Sequence, residues 1–65
     1  MLNRIKEIRE VKGITQKALA EAASVSQPFL YDLENGNRNA KRETWERIAN
    51  ALGCKVDDLI KEESA

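Results

Sequence analysis

The sequence predicts a small all-α domain of five short helices, and three observations carry that prediction. Apolar residues recur at spacings of three and four among charged and polar ones, the period of a helix with one buried face. Thr15 and Ser26 each stand just before such a stretch, where a hydroxyl can accept from the unpaired amides of a helix start. Gly13, Gly36 and Gly53 stand where stretches stop, at the left-handed position that closes a helix. One domain is expected over residues 1–62, with residues 63–65 as a frayed tail.

The first helix rests on Leu2, Ile5 and Ile8, with charges between them, and stops at Gly13. Ile14 opens the second element, Thr15 caps it, and the alanine-rich run from Gln16 to Ala23 has strong helix propensity. Ala18, Leu19 and Ala22 are expected on its inner face. Ser24-Val25-Ser26 interrupts the pattern, with Val25 as an apolar plug between small polar residues. Ser26 caps the third helix, and Pro28 falls in its first turn, where a missing N–H costs nothing. Leu30 and Leu33 face inward, and Phe29 is expected to pack on the second helix. A polar loop follows Gly36. Trp45, Ile48, Ala49 and Leu52 then mark one face of a fourth helix. Val56, Leu59 and Ile60 give a short fifth.

Composition narrows the function classes. A chain of 65 residues has a thin stability margin and often needs a disulfide, a metal or a partner subunit. Cys54 is the lone cysteine and there is no histidine, so neither a disulfide within the chain nor a zinc site is expected. Dimerisation is the remaining common aid. The free thiol fits a reducing cytoplasm. No apolar run reaches the roughly 18 residues of a membrane span, and the alternating start is no signal peptide. Without an imidazole base or a glycine-rich phosphate loop, no enzyme, cofactor or small-molecule ligand is expected. The formal net charge is zero, but it is unevenly spread. Residues 11–42 carry a balance of plus two and residues 43–65 a balance of minus three. The stretch from Asn35 to Arg42 holds three cations and no acid, so the middle of the chain can face phosphate.

Two helices of about two turns joined by Ser24-Val25-Ser26 fit a helix-turn-helix, or equally an ordinary helical hairpin in a small bundle. The residues add a resemblance. Arg9, Gly13, Thr15-Gln16, Leu19-Ala20, Val25-Ser26, Leu30, Leu33-Glu34, Gly36, Ile48-Ala49, Ala51-Leu52-Gly53 and Asp57 to Leu59 stand at the spacing of one family. From Ile5 to Leu59 the chain resembles the lambda-repressor-like helix-turn-helix proteins of the Cro or Xre type.

The resemblance implies a regulator of transcription that lays the helix at residues 26–35 in the major groove of double-stranded DNA. A groove of that width admits a helix, and side chains that donate and accept read its base edges. Gln27, in the first turn, is the implied base reader, and Gln16 is implied to bond both a phosphate and Gln27. Pro28 and Asp32 match further base-contacting positions. Pro28 offers only apolar contact, for example to a thymine methyl. Asp32 either accepts from a cytosine amino group or stays a solvated carboxylate that repels phosphate. Tyr31 reaches base or backbone. Asn35, Asn37 and Arg38 match phosphate-holding positions, and Lys41 and Arg42 extend that basic edge. Thr15 and Lys17 at the start of the second helix, and Ser26 at the start of the third, join the phosphate contacts, with amide N–H groups offered to an anion. Arg9 and Glu34 match a structural salt bridge between the first and third helices.

The chain departs from the family where Ala40, Lys41 and Arg42 replace the usual proline, serine and leucine. Asn39 is expected to take over as cap of the fourth helix, and Lys55 stands where a capping serine is common. The family also implies a homodimer on a palindromic operator. Cys54, Val56 and Ile60 are the expected dimer contacts, with Trp45 possible through an exposed edge. About five residues follow the last helix, as expected of a small stand-alone repressor or controller. The alternative is a protein-binding module of antitoxin type, since such proteins share the fold.

Overall fold

The computed structural model describes residues 3–60 and places five helices in them. They are α1 (Ile5–Val11), α2 (Gln16–Ala22), α3 (Gln27–Glu34), α4 (Arg42–Leu52) and α5 (Val56–Leu59). Leu2, expected on the inner face of α1, and the tail at residues 63–65 lie outside the described residues. One core joins all five helices: Ile5 from α1, Leu19 and Ala20 from α2, Leu30 and Leu33 from α3, Trp45, Ile48, Ala49 and Leu52 from α4, and Leu59 from α5. Ala23, at the end of α2, completes it. α2 sits at the centre, packed on α1, α3 and α4, and α5 closes onto α4.

The helix starts follow the side chains at their caps. Thr15 Oγ1 accepts the Ala18 N–H at 3.1 Å, and Ser26 Oγ accepts the Phe29 N–H at 3.2 Å. Pro28 sits in the first turn of α3. The start of α4 differs from expectation. Lys41 is its N-cap and gives no side-chain bond, while Asn39 Oδ1 accepts from its neighbour Ala40 N–H at 2.8 Å. Asn39 stands two residues before the N-cap Lys41, too early to reach the amides of the second and third helical residues that a cap must serve. Glu43 in the first turn still complements the positive end of the helix. At α5 the Lys55 N–H donates to Asp58 Oδ2 at 3.1 Å, so this short helix is tied from its third residue.

The inner face of α2 also differs. Leu19, Ala20 and Ala23 are buried, whereas Ala18 and Ala22 are exposed. Alanine at four of the eight positions from Gln16 to Ala23 leaves the phase of the helix unmarked except at Leu19. Burying Leu19 and the residues one and four beyond it fixes the other face outward. Trp45 is 3% exposed, so it has no edge to offer a partner subunit; α4 needs its ring to fill the core. Among the described residues, one extended pairing stands outside the helices, an antiparallel bridge between Asn3 and Ile60. Asn3 holds the two ends of the domain together. Its amide donates to Leu33 O at 2.8 Å, its Oδ1 accepts from Ile5 N–H at 3.2 Å, and the next N–H, of Arg4, donates to Leu59 O at 2.7 Å.

Three of the four long-helix ends close on a glycine with positive φ; α2 closes on Ser24, at φ 58°. A side chain in that region costs about 1–2 kcal/mol, against roughly 0.5–1 kcal/mol for the extra freedom a glycine loses on folding. The first quantity is the larger. Ser24→Gly is therefore expected to stabilise the domain by up to about 1 kcal/mol and raise its Tm by a few degrees. Thermal melts followed by circular dichroism check this, and a lower midpoint would mean that the hydroxyl makes a contribution outweighing the strain.

Candidate nucleic-acid interface

The orientation of α3 follows from its two leucines. Leu30 and Leu33 are fully buried, and exposing both would cost about 3–6 kcal/mol in lost burial. That burial turns the opposite face outward, where Gln27, Pro28, Tyr31 and Asn35 are exposed and Asp32 is half-buried. Tyr31 is 57% exposed, an unusual surface aromatic for this chain. The turn before α3 is held from both sides. Val25 packs against the core, its N–H donates to Ala20 O at 3.0 Å, and Arg47 of α4 donates through Nε to Ala23 O at 3.0 Å. Arg47 also meets Glu43 at 3.4 Å.

Beneath this face lies a polar chain that crosses three helices. Arg9 Nε donates to Glu34 Oε2 at 3.0 Å and Arg9 Nη2 to Glu34 Oε1 at 3.2 Å, a two-pronged contact. Arg9 Nη1 donates to Ile14 O at 3.1 Å. The Glu34 side chain is 3% exposed and that of Arg9 12%. Gln16 Nε2 donates to Glu34 Oε1 at 3.4 Å, and Gln27 Nε2 donates to Gln16 Oε1 at 3.3 Å. The ion pair of α1 and α3 is thus continuous with the two exposed-side glutamines at the starts of α2 and α3.

The expected phosphate-facing residues separate into groups. Thr15, Lys17 and Ser26 are exposed at the helix starts, and Gln16 is half-buried among them. The Thr15 and Ser26 oxygens accept from their own helices, which leaves each O–H free to donate outward. Asn37 and Arg38 are exposed beyond α3. Asn35 turns one amide proton back to Tyr31 O at 2.8 Å, closing the helix, and keeps a second for an outside acceptor. The Arg38 guanidinium stands 5.3 Å from the Phe29 ring centroid, close enough for the ring face to hold the cation. Phe29 is half-buried and borders a surface hollow with Val25, Thr44 and Arg47. Lys41 is exposed, but Arg42 pairs with Glu46 at 3.6 Å and borders the hollow between α4 and α5. Part of the charge assigned to the basic edge is therefore engaged on that other side of α4.

Cys54 and Val56 line the same α4–α5 hollow and are half-buried, and Ile60 packs on the core beside Asn3. Burial raises the pKa of Cys54, Asp58 raises it further, and Lys12 opposes them. The thiol is therefore neutral at physiological pH. Among the described residues no group of histidine, cysteine or acidic side chains is placed to hold a metal, and no helix is long and apolar enough to cross a membrane. Sequence reasoning missed the Gln16–Glu34 bond, the Arg38–Phe29 stack, the Arg47 contact to the end of α2 and the role of Asn3. Glu43 and Arg47 at i and i+4 signal an exposed helix pair, but nothing local signals the other partners.

The helix-turn-helix family profile matches residues 5–59 of the chain. The chain belongs to the helix-turn-helix family. Relatives within the family include the HTH-type transcriptional regulator DdrOP3 of Deinococcus deserti, 38% identical over 94% of this chain and 47% of its own. The immunity repressor protein of Bacillus phage phi105 is 41% identical over 94% of this chain and 42% of its own. The chain thus spans less than half the length of these two curated relatives. Among solved structures, the N-terminal DNA-binding domain of SinR from Bacillus subtilis superimposes with a TM-score of 0.81 at 30% identity, covering 95% of this chain and 91% of that one. SinR solved in complex with DNA gives 0.78 at 31% identity, over 83% and 87%.

The ion pair at the base of the interface yields a stability prediction. Removing one partner strands a buried charge, so Arg9→Ala is expected to cost about 3–5 kcal/mol. Arg9→Met combined with Glu34→Leu keeps the volume without the charges and is expected to cost far less or to stabilise. Urea unfolding of both variants checks the contrast, and equal losses would contradict it.

Proposed function

We propose that the chain is a sequence-specific binder of double-stranded DNA that regulates transcription as a repressor, with α3 in the major groove. One observation carries this reading: burial of Leu30 and Leu33 turns Gln27, Pro28, Tyr31 and Asp32 outward on one exposed helix flanked by phosphate-type donors. Kinship with a phage immunity repressor and with a domain solved on DNA supports it. Gln27 reads an adenine edge through both ends of its amide. Pro28 gives an apolar contact, and Tyr31 and Asp32 flank it. Thr15, Gln16, Lys17, Ser26, Asn35, Asn37, Arg38 and Lys41 hold the phosphates on either side, with Arg42 at the margin.

Selection of bound duplexes from a random pool identifies the operator, and titrations on it then test the roles. Gln27→Ala is expected to lose about 1–3 kcal/mol of discrimination at one base pair per half-site. Arg38→Ala is expected to weaken matched and unmatched duplexes alike and to lower the slope of log affinity against log salt by about one unit. Equal loss on every duplex for Gln27→Ala would remove it from the reading role. An unchanged salt slope would remove Arg38 from the phosphates.

One recognition helix reads only a few base pairs, so the same reading includes two copies on a palindrome, with half-sites about one helical turn apart. The α4–α5 side, with Cys54 and Val56 in its hollow and charges of both signs around them, is the surface we assign to that contact, and Ile60 lies at its margin. Sedimentation equilibrium at micromolar concentration is expected to give a dimer. A strict monomer that binds an isolated half-site as tightly as the palindrome would refute it.

A further inference from the structure

Gln16 stands between two neighbours of unlike chemistry. Its amide nitrogen meets Glu34 Oε1 at 3.4 Å, and its amide oxygen meets Gln27 Nε2 at 3.3 Å. The two ends of a glutamine amide have nearly one shape, one end donating and the other accepting, so the neighbours decide which end faces where. An ionised carboxylate only accepts. Glu34 is buried and gripped by Arg9 through both oxygens, so it is not free to turn aside.

The consequences run outward in one direction. Glu34 admits only the nitrogen of Gln16. The oxygen of Gln16 is left for Gln27, and because that oxygen only accepts, Gln27 must meet it with nitrogen. Gln27 then has one N–H and its carbonyl oxygen left to face outward. A donor beside an acceptor complements adenine, whose N7 accepts and whose N6 amino group donates; guanine offers two acceptors there, N7 and O6. Were Gln16 reversed, Gln27 would meet it with oxygen and present two N–H groups, the complement of guanine.

Resting on the reading of Gln27 as the base reader, we infer that Glu34 is a specificity-determining positioning residue. Acting through Gln16, its carboxylate fixes the donor–acceptor sense of Gln27 and so selects adenine over guanine at the base pair Gln27 meets. The ion pair is then more than a clasp between α1 and α3. It is the fixed end of a hydrogen-bond chain whose free end reads DNA.

The test measures affinity for two duplexes that differ only in adenine or guanine at the base pair identified with Gln27→Ala. Glu34→Gln keeps the shape but can present either end to Gln16. The adenine-to-guanine affinity ratio is expected to fall about tenfold, mostly through stronger binding of guanine. Because Glu34→Gln leaves Arg9 without its counter-charge, Arg9→Met with Glu34→Leu is measured beside it as a variant that also lacks the carboxylate and keeps an apolar core. A purely structural role would lower the folded fraction, which reduces both affinities equally and cancels in the ratio. A ratio that falls in the variants supports the inference. A ratio unchanged in both variants, with Gln27→Ala still altering it, overturns the role of Glu34 alone. If Gln27→Ala alters no base preference, the base-reading role fails and this inference fails with it.

Discussion

The Glu34 carboxylate must be satisfied inside the fold, and most of the interface follows from how that is done. A carboxylate shielded to this degree is costly unless every oxygen has a donor. Arg9 supplies two bonds from α1 and Gln16 a third from the start of α2. The spare prong of Arg9 takes the Ile14 carbonyl in the loop between those helices. One acid at the end of α3 thereby fixes α1, the loop and α2 around itself. An apolar pair of the same volume would hold the helices together as well, but it would have no direction. The ion pair has one, and the glutamines inherit it.

The core and the interface divide α3 between them. Leu30 and Leu33 lie three apart and face in; Gln27 and Tyr31 lie four apart and face out. With eight residues, α3 is too short to be stable alone, so its geometry is borrowed from its neighbours. α2 packs on it directly, and α4 reaches the preceding turn through Arg47, whose guanidinium donates to the carbonyl of Ala23, the C-cap of α2. Asn3 reaches Leu33 O at the other end. α3 is thus held at its start by α4 and near its end by the N-terminal segment, while its outward face makes few bonds within the protein.

Legibility in the sequence tracked how much a residue's own chemistry constrains it. The phases of α3 and α4 were readable because large apolar side chains alternate with polar ones, and all four expected core residues of α4 are buried. The caps at Thr15 and Ser26 were readable because few residues do that work. α2 was not, since alanine fits inside or outside and only Leu19 marks the face. An aromatic ring at Trp45 serves a core or an interface equally well, and only the packing of α4, which leaves it 3% exposed, decides between them. Residue type alone points to Asn39 as a cap, but it stands two residues before Lys41, the N-cap of α4. At the interface, the positions of Gln16 and Gln27 were carried by resemblance. Their link to Glu34 was invisible, because residues eighteen apart meet only through the packing of α2 on α3.

Electrostatics then explains why so ordered a polar chain matters in this protein. The net charge is zero, so the attraction to any duplex that a strongly basic protein enjoys is weak here. What cations remain near the interface are few and partly held: Arg38 by the Phe29 ring, Arg42 by Glu46. Holding a cation in place limits the side-chain freedom lost when a phosphate arrives, but it does not add charge. A binder of this kind cannot rely on non-specific affinity to mask an imprecise reader. More of its preference for one site over the many competitors must come from base edges, where a reversed amide turns a matched pair of bonds into a mismatched one. A buried carboxylate that fixes the sense of that amide before DNA arrives is a small device, and in a protein with so little charge to spare it bears on every site the helix meets.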